Sequence, residues 1–219
     1  MQNNFPKVAW GDKEAANSWQ FKYLGSIYEA GGDEMTDVKT RIAMAVTRFG
    51  KLRHLWTDND LHINLRMRLY KLCVCSVMTY GSEAWHLKAT VTSALNGANA
   101  RMVSVITGKS PREEATTATR TFDLVSWIRA RRLQWLGHIL RLGPDRFIKC
   151  AVFVTYKGRT EGDLLMDAPK TASFRELCEF AFAKDQWRAR VRALRQPRIT
   201  TTTMGPHTEP EQTVAFTIS

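Results

Sequence analysis

Cysteine is scarce in this chain, and its spacing rules out most of what cysteine does. Cys73 and Cys75 form a lone C-x-C, while Cys150 and Cys178 stand far apart, so neither a paired-cysteine zinc module nor a dense disulfide framework is written here. Reduced thiols in an intracellular protein, nuclear or cytoplasmic, are expected. Long apolar runs are missing too: nothing approaches the roughly 18 residues of a membrane span. Residues 1 to 18, MQNNFPKVAWGDKEAANS, lack the basic, apolar and small-residue zones of a signal peptide. No membrane partner is therefore expected. The catalytic signatures G-x-x-x-x-G-K-[ST], G-x-G-x-x-G, H-E-x-x-H and G-x-S-x-G are all absent. Asp58 and Asp60, in TDND, read as a turn and N-cap rather than a cation site. His138, beside Gly137 in an apolar stretch, reads as a packed histidine rather than a ligand. The residues alone propose no catalytic group, no metal site and no cofactor in this chain.

Positive charge, by contrast, is abundant. With 219 residues and 44% hydrophobic content, the chain can build one domain with a substantial core or two small ones. Its 32 Lys and Arg against 21 Asp and Glu leave a net charge of +11, which favours a polyanionic partner, nucleic acid being the commonest. Seven Trp supply either core anchors or flat faces for stacking bases.

Residues 20 to 28 alternate, with Phe21, Tyr23 and Ile27 on one side and Lys22 and Leu24 on the other, and read as a short strand broken at Gly25. AGGD at 30 to 33 is turn chemistry, and a small β hairpin is expected at this N-terminal end. From Thr36 the period becomes helical: Val38, Ile42, Ala45, Phe49, Leu52 and Trp56 fall on one face. Thr36 is the expected cap, Asp37 suits the helix dipole, and Lys39, Arg48, Lys51 and Arg53 take the other side. After TDND a second helix is expected with Leu61, Leu65, Leu69, Leu72 and Ser76 in line, decorated by Arg66, Arg68 and Lys71. Val91, Leu95, Ala98, Met102 and Val105 mark a third, closed by Gly108. GKSPREEATTAT reads as a loop.

A fourth helix starts near Phe122 and stops by Pro144, with Leu124, Ile128, Trp135, Ile139 and Leu142 as its stripe. Arg131 falls inside that stripe, where an arginine must snorkel, pair or meet an anion. AVFVTY near 152 is a candidate strand, and KGRTEGD a turn or loop. Ser173 and Glu176 form a capping box for a last helix carrying Phe174, Leu177, Ala181, Trp187, Val191 and Leu194. The Thr- and Pro-rich tail from 196 to 219 has no sustained period and is expected to be disordered. The fold class is thus mainly α: a helical bundle with a small N-terminal hairpin and a disordered tail.

Arginine and lysine repeatedly sit beside aromatics, in FKY, RFGKLRHLW, WIRARRLQWLGHILR and WRARVRALR. Such cations bind phosphates and such rings stack on bases, or else they form a solvated face over a core. FKYLGS, DVKTRIAMAVTRFGKLRHLW, RLYKLCVCSVMTYGSEAW, RARRLQWLGHILRL and LLMDAP…SFRELCEFAFAKDQWRARV, in this order, resemble the C-terminal part of a non-LTR (LINE-type) retrotransposon reverse transcriptase. The resemblance spans about residues 20 to 195. It implies that Phe21, Lys22, Tyr23, Leu24 and Gly25 match the primer grip, the hairpin that steadies the growing primer end. It implies a thumb that tracks template-primer backbone, and a connector containing YGSEAW and RRLQWLGH that contacts template RNA or braces the thumb.

The divisions that follow are a poorly ordered segment at 1 to 18, the hairpin at 19 to 33, the thumb-like bundle at 34 to 108, a basic helical connector at 109 to 195 and the tail. Partners implied are RNA, an RNA–DNA hybrid or DNA, and a separately encoded palm domain. The candidate contact residues are Phe21, Lys22, Tyr23, Gly25, Lys39, Arg48, Lys51, Arg66, Arg68, Lys71, Arg129, Arg131, Arg132, Trp135, His138 and Arg141. The family's Y-x-D-D signature is absent, and full-length relatives would use Mg2+ held there, so no polymerase activity is expected from this chain alone. AKDQWR stands where the family commonly shows D-R before the late W-R, and the Thr-rich tail matches no part of it.

Overall fold

A computed structural model describes residues 9–10, 13–14, 18–116, 121–157, 165–171 and 173–195, with backbone alone at 9–10, 13–14 and 155–157. The tail at 196 to 219, the turn expected within 158 to 163 and most of the segment 1 to 18 lie outside the described residues. Inside that segment, Ala9–Trp10 (β1) and Lys13–Glu14 (β2) form a minimal antiparallel ladder where no element is expected.

The expected hairpin is present, and its turn falls at the expected break at Gly25 rather than at AGGD. Gln20–Tyr23 (β3) and Ser26–Glu29 (β4) pair antiparallel, Phe21 opposite Tyr28 and Lys22 opposite Ile27. Leu24 and Gly25 make the turn, with φ of 48° and 88°. Two successive positive φ values match the twist of the flanking strands, which is why this tight turn wins over AGGD. AGGD instead leads the chain into Met35–Lys51 (α1), where the Asp33 carboxylate accepts from the Met35 N–H at 3.1 Å. Thr36, the expected cap, lies inside the helix.

A break at Leu52 separates α1 from Arg53–Thr57 (α2), and the Trp56 indole donates back to the Phe49 carbonyl at 2.9 Å. His62 caps Ile63–Tyr70 (α3), its Nδ1 accepting from the Asn64 N–H at 3.2 Å. A π-helical turn, Lys71–Cys75, then leads to the single turn Ser76–Met78 (α4). The leucine stripe expected here does not form the core: Leu65, Ser76 and, at 63% exposure, Leu72 face outward, while Met67, Tyr70, Val74, Cys75 and Met78 are buried. Both faces of this segment are apolar, and Tyr70 decides between them. It is fully buried, edge-on to Phe49, Trp56 and Phe122 at 6.1 to 6.4 Å between ring centroids. Its hydroxyl donates to Asn99, whose amide donates to the Phe122 carbonyl.

Ala89–Thr107 (α5) ends where expected, at Gly108 in the left-handed conformation (φ 74°), although Val105 is exposed and Val103 and Ile106 take the core. The expected loop after it contains a short helix, Pro111–Ala115 (α6), because Ser110 and Glu113 cap one another reciprocally. Those bonds to Ser110 hold the Glu113 carboxyl below its ordinary value. Asp123 caps Leu124–Leu140 (α7), the bundle's central rod. AVFVTY, the candidate strand, belongs instead to a helix, Phe147–Lys157 (α8), which buries Val152 and sets Phe153 against Phe174 at 5.1 Å. The last expected helix is two: Phe174–Phe182 (α9), capped by Ser173, and Lys184–Arg195 (α10), parted at Ala183. Among the described residues no helix is long and apolar enough to cross a membrane.

Two hydrophobic clusters meet on α7. Leu124 and Ile128 belong to the first, with α1 to α5; Leu133, Leu136, Ile139 and Leu140 belong to the second, with α8 to α10. The second is closed by Trp187, whose indole donates to the Leu133 carbonyl at 3.0 Å and lies directly over Gly137. A Cβ on Gly137 would sit 2.3 Å from that indole nitrogen.

Gly137→Ala is therefore expected to destabilise by about 2 kcal/mol in chemical denaturation, although Gly to Ala within an exposed helix normally stabilises by up to about 1. An increase in stability would show that Trp187 does not press on this glycine. Thiol chemistry checks the first core independently. Burial pushes the Cys75 thiol up to about 12 against smaller opposing effects of Tyr70 and Lys71, whereas Cys150 is exposed. At pH 8 Cys150 is expected to react with a thiol reagent in the folded protein and Cys75 only after unfolding.

Candidate nucleic-acid interface

The hairpin is positioned by a buried polar cluster that α1 and the loop after α4 build together. Asp37 and Arg41, one helical turn apart, are both buried, with Arg41 Nε 3.7 Å from an Asp37 carboxylate oxygen. Asp37 also accepts from the backbone N–H of Ile27 in β4 at 3.0 Å and from the Trp85 indole at 2.9 Å. Arg41 donates to the carbonyl of Gly25, the Tyr80 hydroxyl donates to the carbonyl of Leu24 at 3.0 Å, and the Arg41 guanidinium stacks over the Tyr80 ring at 4.4 Å. Both carbonyls of the turn are thereby held from below. Gly81, at φ 74°, packs so closely that a Cβ there would lie 2.7 Å from the Ser26 hydroxyl. Asp37 does lie in the first turn of α1, where it suits the helix dipole, and its carboxylate is also buried and fixes three partners, which the sequence does not show.

Held in this way, the hairpin leaves β3 wholly exposed. Phe21 is 61% and Tyr23 55% accessible, and their rings stack at 6.3 Å with an interplanar angle of 22°. Lys22 is exposed beside them, and Gly25 is occupied with the contacts just described.

The cations of the helices divide into free and committed groups. Lys39, Arg48, Lys51 and Arg68 are exposed. Lys39 lies half a turn around α1 from Arg48, since nine residues at 3.6 per turn complete two and a half turns, so the α1 cations do not make one row. Arg48 and Lys51 instead line an open groove of about 480 Å³ with Met44, Leu72 and Cys73. Arg66 donates to the Trp56 carbonyl at 2.8 Å, and the Lys71 ammonium sits over the Phe122 ring at 4.6 Å.

On α7, Arg129 makes a two-pronged ion pair with Asp167, at 2.5 and 2.9 Å. Arg131 resolves the puzzle of a charge in an apolar stripe by pairing: it donates to Thr79 at 3.0 Å, reaches Glu83 at 3.5 Å and stacks over Trp127 at 5.1 Å. Arg132 is the buried one of the pair, 3% accessible. Trp135 and His138 are exposed, so His138 is not the packed histidine that its apolar neighbours indicate. With Arg131, Gln134 and Arg141 they line a hollow of about 490 Å³.

Next to that hollow, sharing Gln134 and Arg141, lies a groove of about 590 Å³ between α7 and α10, lined also by Lys184, Arg188, Arg192 and Arg195 over Trp187 and Val191. These α10 cations lie outside the candidate set, yet their three- and four-residue spacing within KDQWRARVRALR is visible in the sequence. Only the packing of α10 on α7 turns that spacing into a concavity.

Among the described residues no three His, Cys, Asp or Glu side chains come together to hold a metal. Among the described residues there is thus no donor set that fits the two-metal carboxylate site of a polymerase. Asp58 accepts from the Asp60 N–H at 2.9 Å in a turn.

No protein-family model matches the chain, and no solved structure matches it. A curated Caenorhabditis elegans protein described as uncharacterized and transposon-derived is 24% identical over 137 residues, 58% of this chain and 49% of that protein. The chain thus spans about half the length of this relative, and the similarity relates it to transposable-element sequence.

Asp37→Ala is expected to leave two buried donors and Arg41 unanswered. Stability should fall by about 3 to 5 kcal/mol, and hydrogen exchange at the hairpin amides of residues 27 to 29 should rise more than at α7. Equal loss of protection in both places would mean that Asp37 supports the whole fold rather than the hairpin.

Proposed function

We propose that this chain is the primer-grip, thumb and connector part of a non-LTR retrotransposon reverse transcriptase, and that it binds RNA or an RNA–DNA template-primer without polymerising by itself. One observation carries the reading. Three separate stretches that resemble the family, FKYLG, DVKTR and YGSEAW, interlock through Gly25, Asp37, Arg41, Tyr80 and Trp85. Segments far apart in sequence that close on one hairpin form a unit, and the unit presents the grip residues Phe21, Lys22 and Tyr23 to solvent.

The similarity to a transposon-derived protein supports the same ancestry at a coarser level. Binding then follows from the free cations: Arg48 and Lys51 at the α1 groove meet the duplex backbone, while Arg66, Lys71, Arg129 and Arg131 brace the scaffold that carries them. The chain holds no Y-x-D-D, so extension of a primer requires a palm supplied separately, and the Mg2+ of the full-length family would be held there.

The exposed aromatic face of β3 favours a second reading, a non-catalytic helical interaction protein whose partner surface is that face. The two diverge in salt dependence. The full chain is expected to bind a short RNA–DNA hybrid with an affinity that falls steeply with salt, because phosphate contacts release counterions. Arg48→Gln with Lys51→Gln should weaken hybrid binding about tenfold and reduce the salt slope by nearly 2. Weak binding that salt leaves unchanged would overturn the template-primer reading in favour of the protein-interaction one.

A further inference from the structure

We infer that the groove between α7 and α10, together with the adjoining hollow at Trp135, is a binding track for single-stranded nucleic acid, an inference that rests on the nucleic-acid reading and extends it from the candidate residues Trp135, His138 and Arg141 to the cations of α10. Arg141, Lys184, Arg188, Arg192 and Arg195 converge on one concavity. Lys184, Arg188 and Arg192 stand at four-residue steps on one face of α10, an arrangement in which like charges repel. Among the described residues, Asp185 is the carboxylate that reaches this row, pairing with Arg188 at 3.2 Å where both side chains are largely exposed. A merely solvated helix face needs no such concentration of one sign inside a cleft.

Two of the cations are also held in place. Arg141 donates to the Ala181 carbonyl at 2.9 Å and Arg195 to the Gln134 side chain at 3.2 Å. Guanidinium groups fixed in a cleft suit phosphate oxygens, which they bind in a two-pronged manner.

The accessible ring beside the groove favours a single strand. Trp187, which floors the groove, is buried and cannot stack, but Trp135 in the adjoining hollow is accessible, with Gln134 and His138 beside it. A stacking ring is of use only to a base that is not already paired and stacked, which points away from duplex. The backbone would lie along α10 and one base would turn onto Trp135.

The test uses the full chain, fluorescent 12-mers of oligo(U) RNA and oligo(dT) DNA, and the RNA–DNA hybrid, each titrated at several salt concentrations. Arg188→Gln with Arg192→Gln is expected to weaken binding of the single strands about tenfold or more and to lower their salt slope by about 1.4, two phosphates at 0.7 each. Hybrid binding should change less than threefold. Trp135→Ala should weaken single-strand binding with no change of slope, because stacking releases no counterions. Single-strand affinity and slope unchanged in the α10 double variant, with hybrid binding intact, would overturn this site and leave the template-primer reading standing. Absence of binding to all three oligonucleotides would overturn both.

Discussion

A buried carboxylate orders the hairpin end of this molecule. Asp37 lies on the first turn of α1, out of water, and has three claims on it: a backbone amide of β4, the Trp85 indole and the Arg41 guanidinium. A charge in such a place is tolerable only when its lone pairs are answered, and each answer comes from a different part of the chain. The hairpin contributes almost no core of its own, since β3 is exposed along its length. A two-stranded hairpin of this size does not stand alone in water. Its order is borrowed from the polar cluster beneath it, and through that cluster from the helices.

The aromatic core has a matching logic. Tyr70 could have been another leucine on an amphipathic helix; its ring instead gathers Phe49, Trp56 and Phe122, while its hydroxyl is spent on Asn99. Burial raises that hydroxyl well above its ordinary pKa, the nearby Cys75 adding to the effect. The π-helical turn follows immediately, and it brings Val74 and Cys75 inward while Leu72 faces outward.

Much of the fold was legible in the sequence, and the parts that were not share a cause. Helix positions for α1, α5 and α7 follow from three- and four-residue periodicity, and Gly108 stops α5 as its chemistry requires. Where a stretch is apolar on more than one side, periodicity cannot choose: the Leu65 and Leu72 face looked inward and is outward, and the β-branched run in α8 looked like a strand. The hairpin and its break at Gly25 were readable, but the positive φ of Leu24 was not, because leucine is a poor candidate for that conformation and adopts it with both turn carbonyls held by distant groups. Arginine was the hardest residue to place. WIRARRLQ contains a paired Arg129, a braced Arg131 and a buried Arg132 within one turn, and nothing local tells them apart, since their partners Asp167, Thr79 and Glu83 lie tens of residues away. The α10 cations are the opposite case: their run WRARVRALR is plain in the sequence, and their convergence appears only when α7 supplies the other wall.

Arg131 gives α7 a mechanical role. It joins the middle of the rod to Thr79 and Glu83, the residues on either side of the loop whose Tyr80 holds the hairpin tip at Leu24. Between the cationic cleft and the exposed rings of Phe21 and Tyr23 there is thus a continuous run of contacts: the part of α7 from Arg141 back to Arg131, about 15 Å of helix, then the Arg131 contacts to Thr79 and Glu83 and the Tyr80 bond to the turn. Anything that displaces the middle of α7 would therefore also displace the hairpin tip.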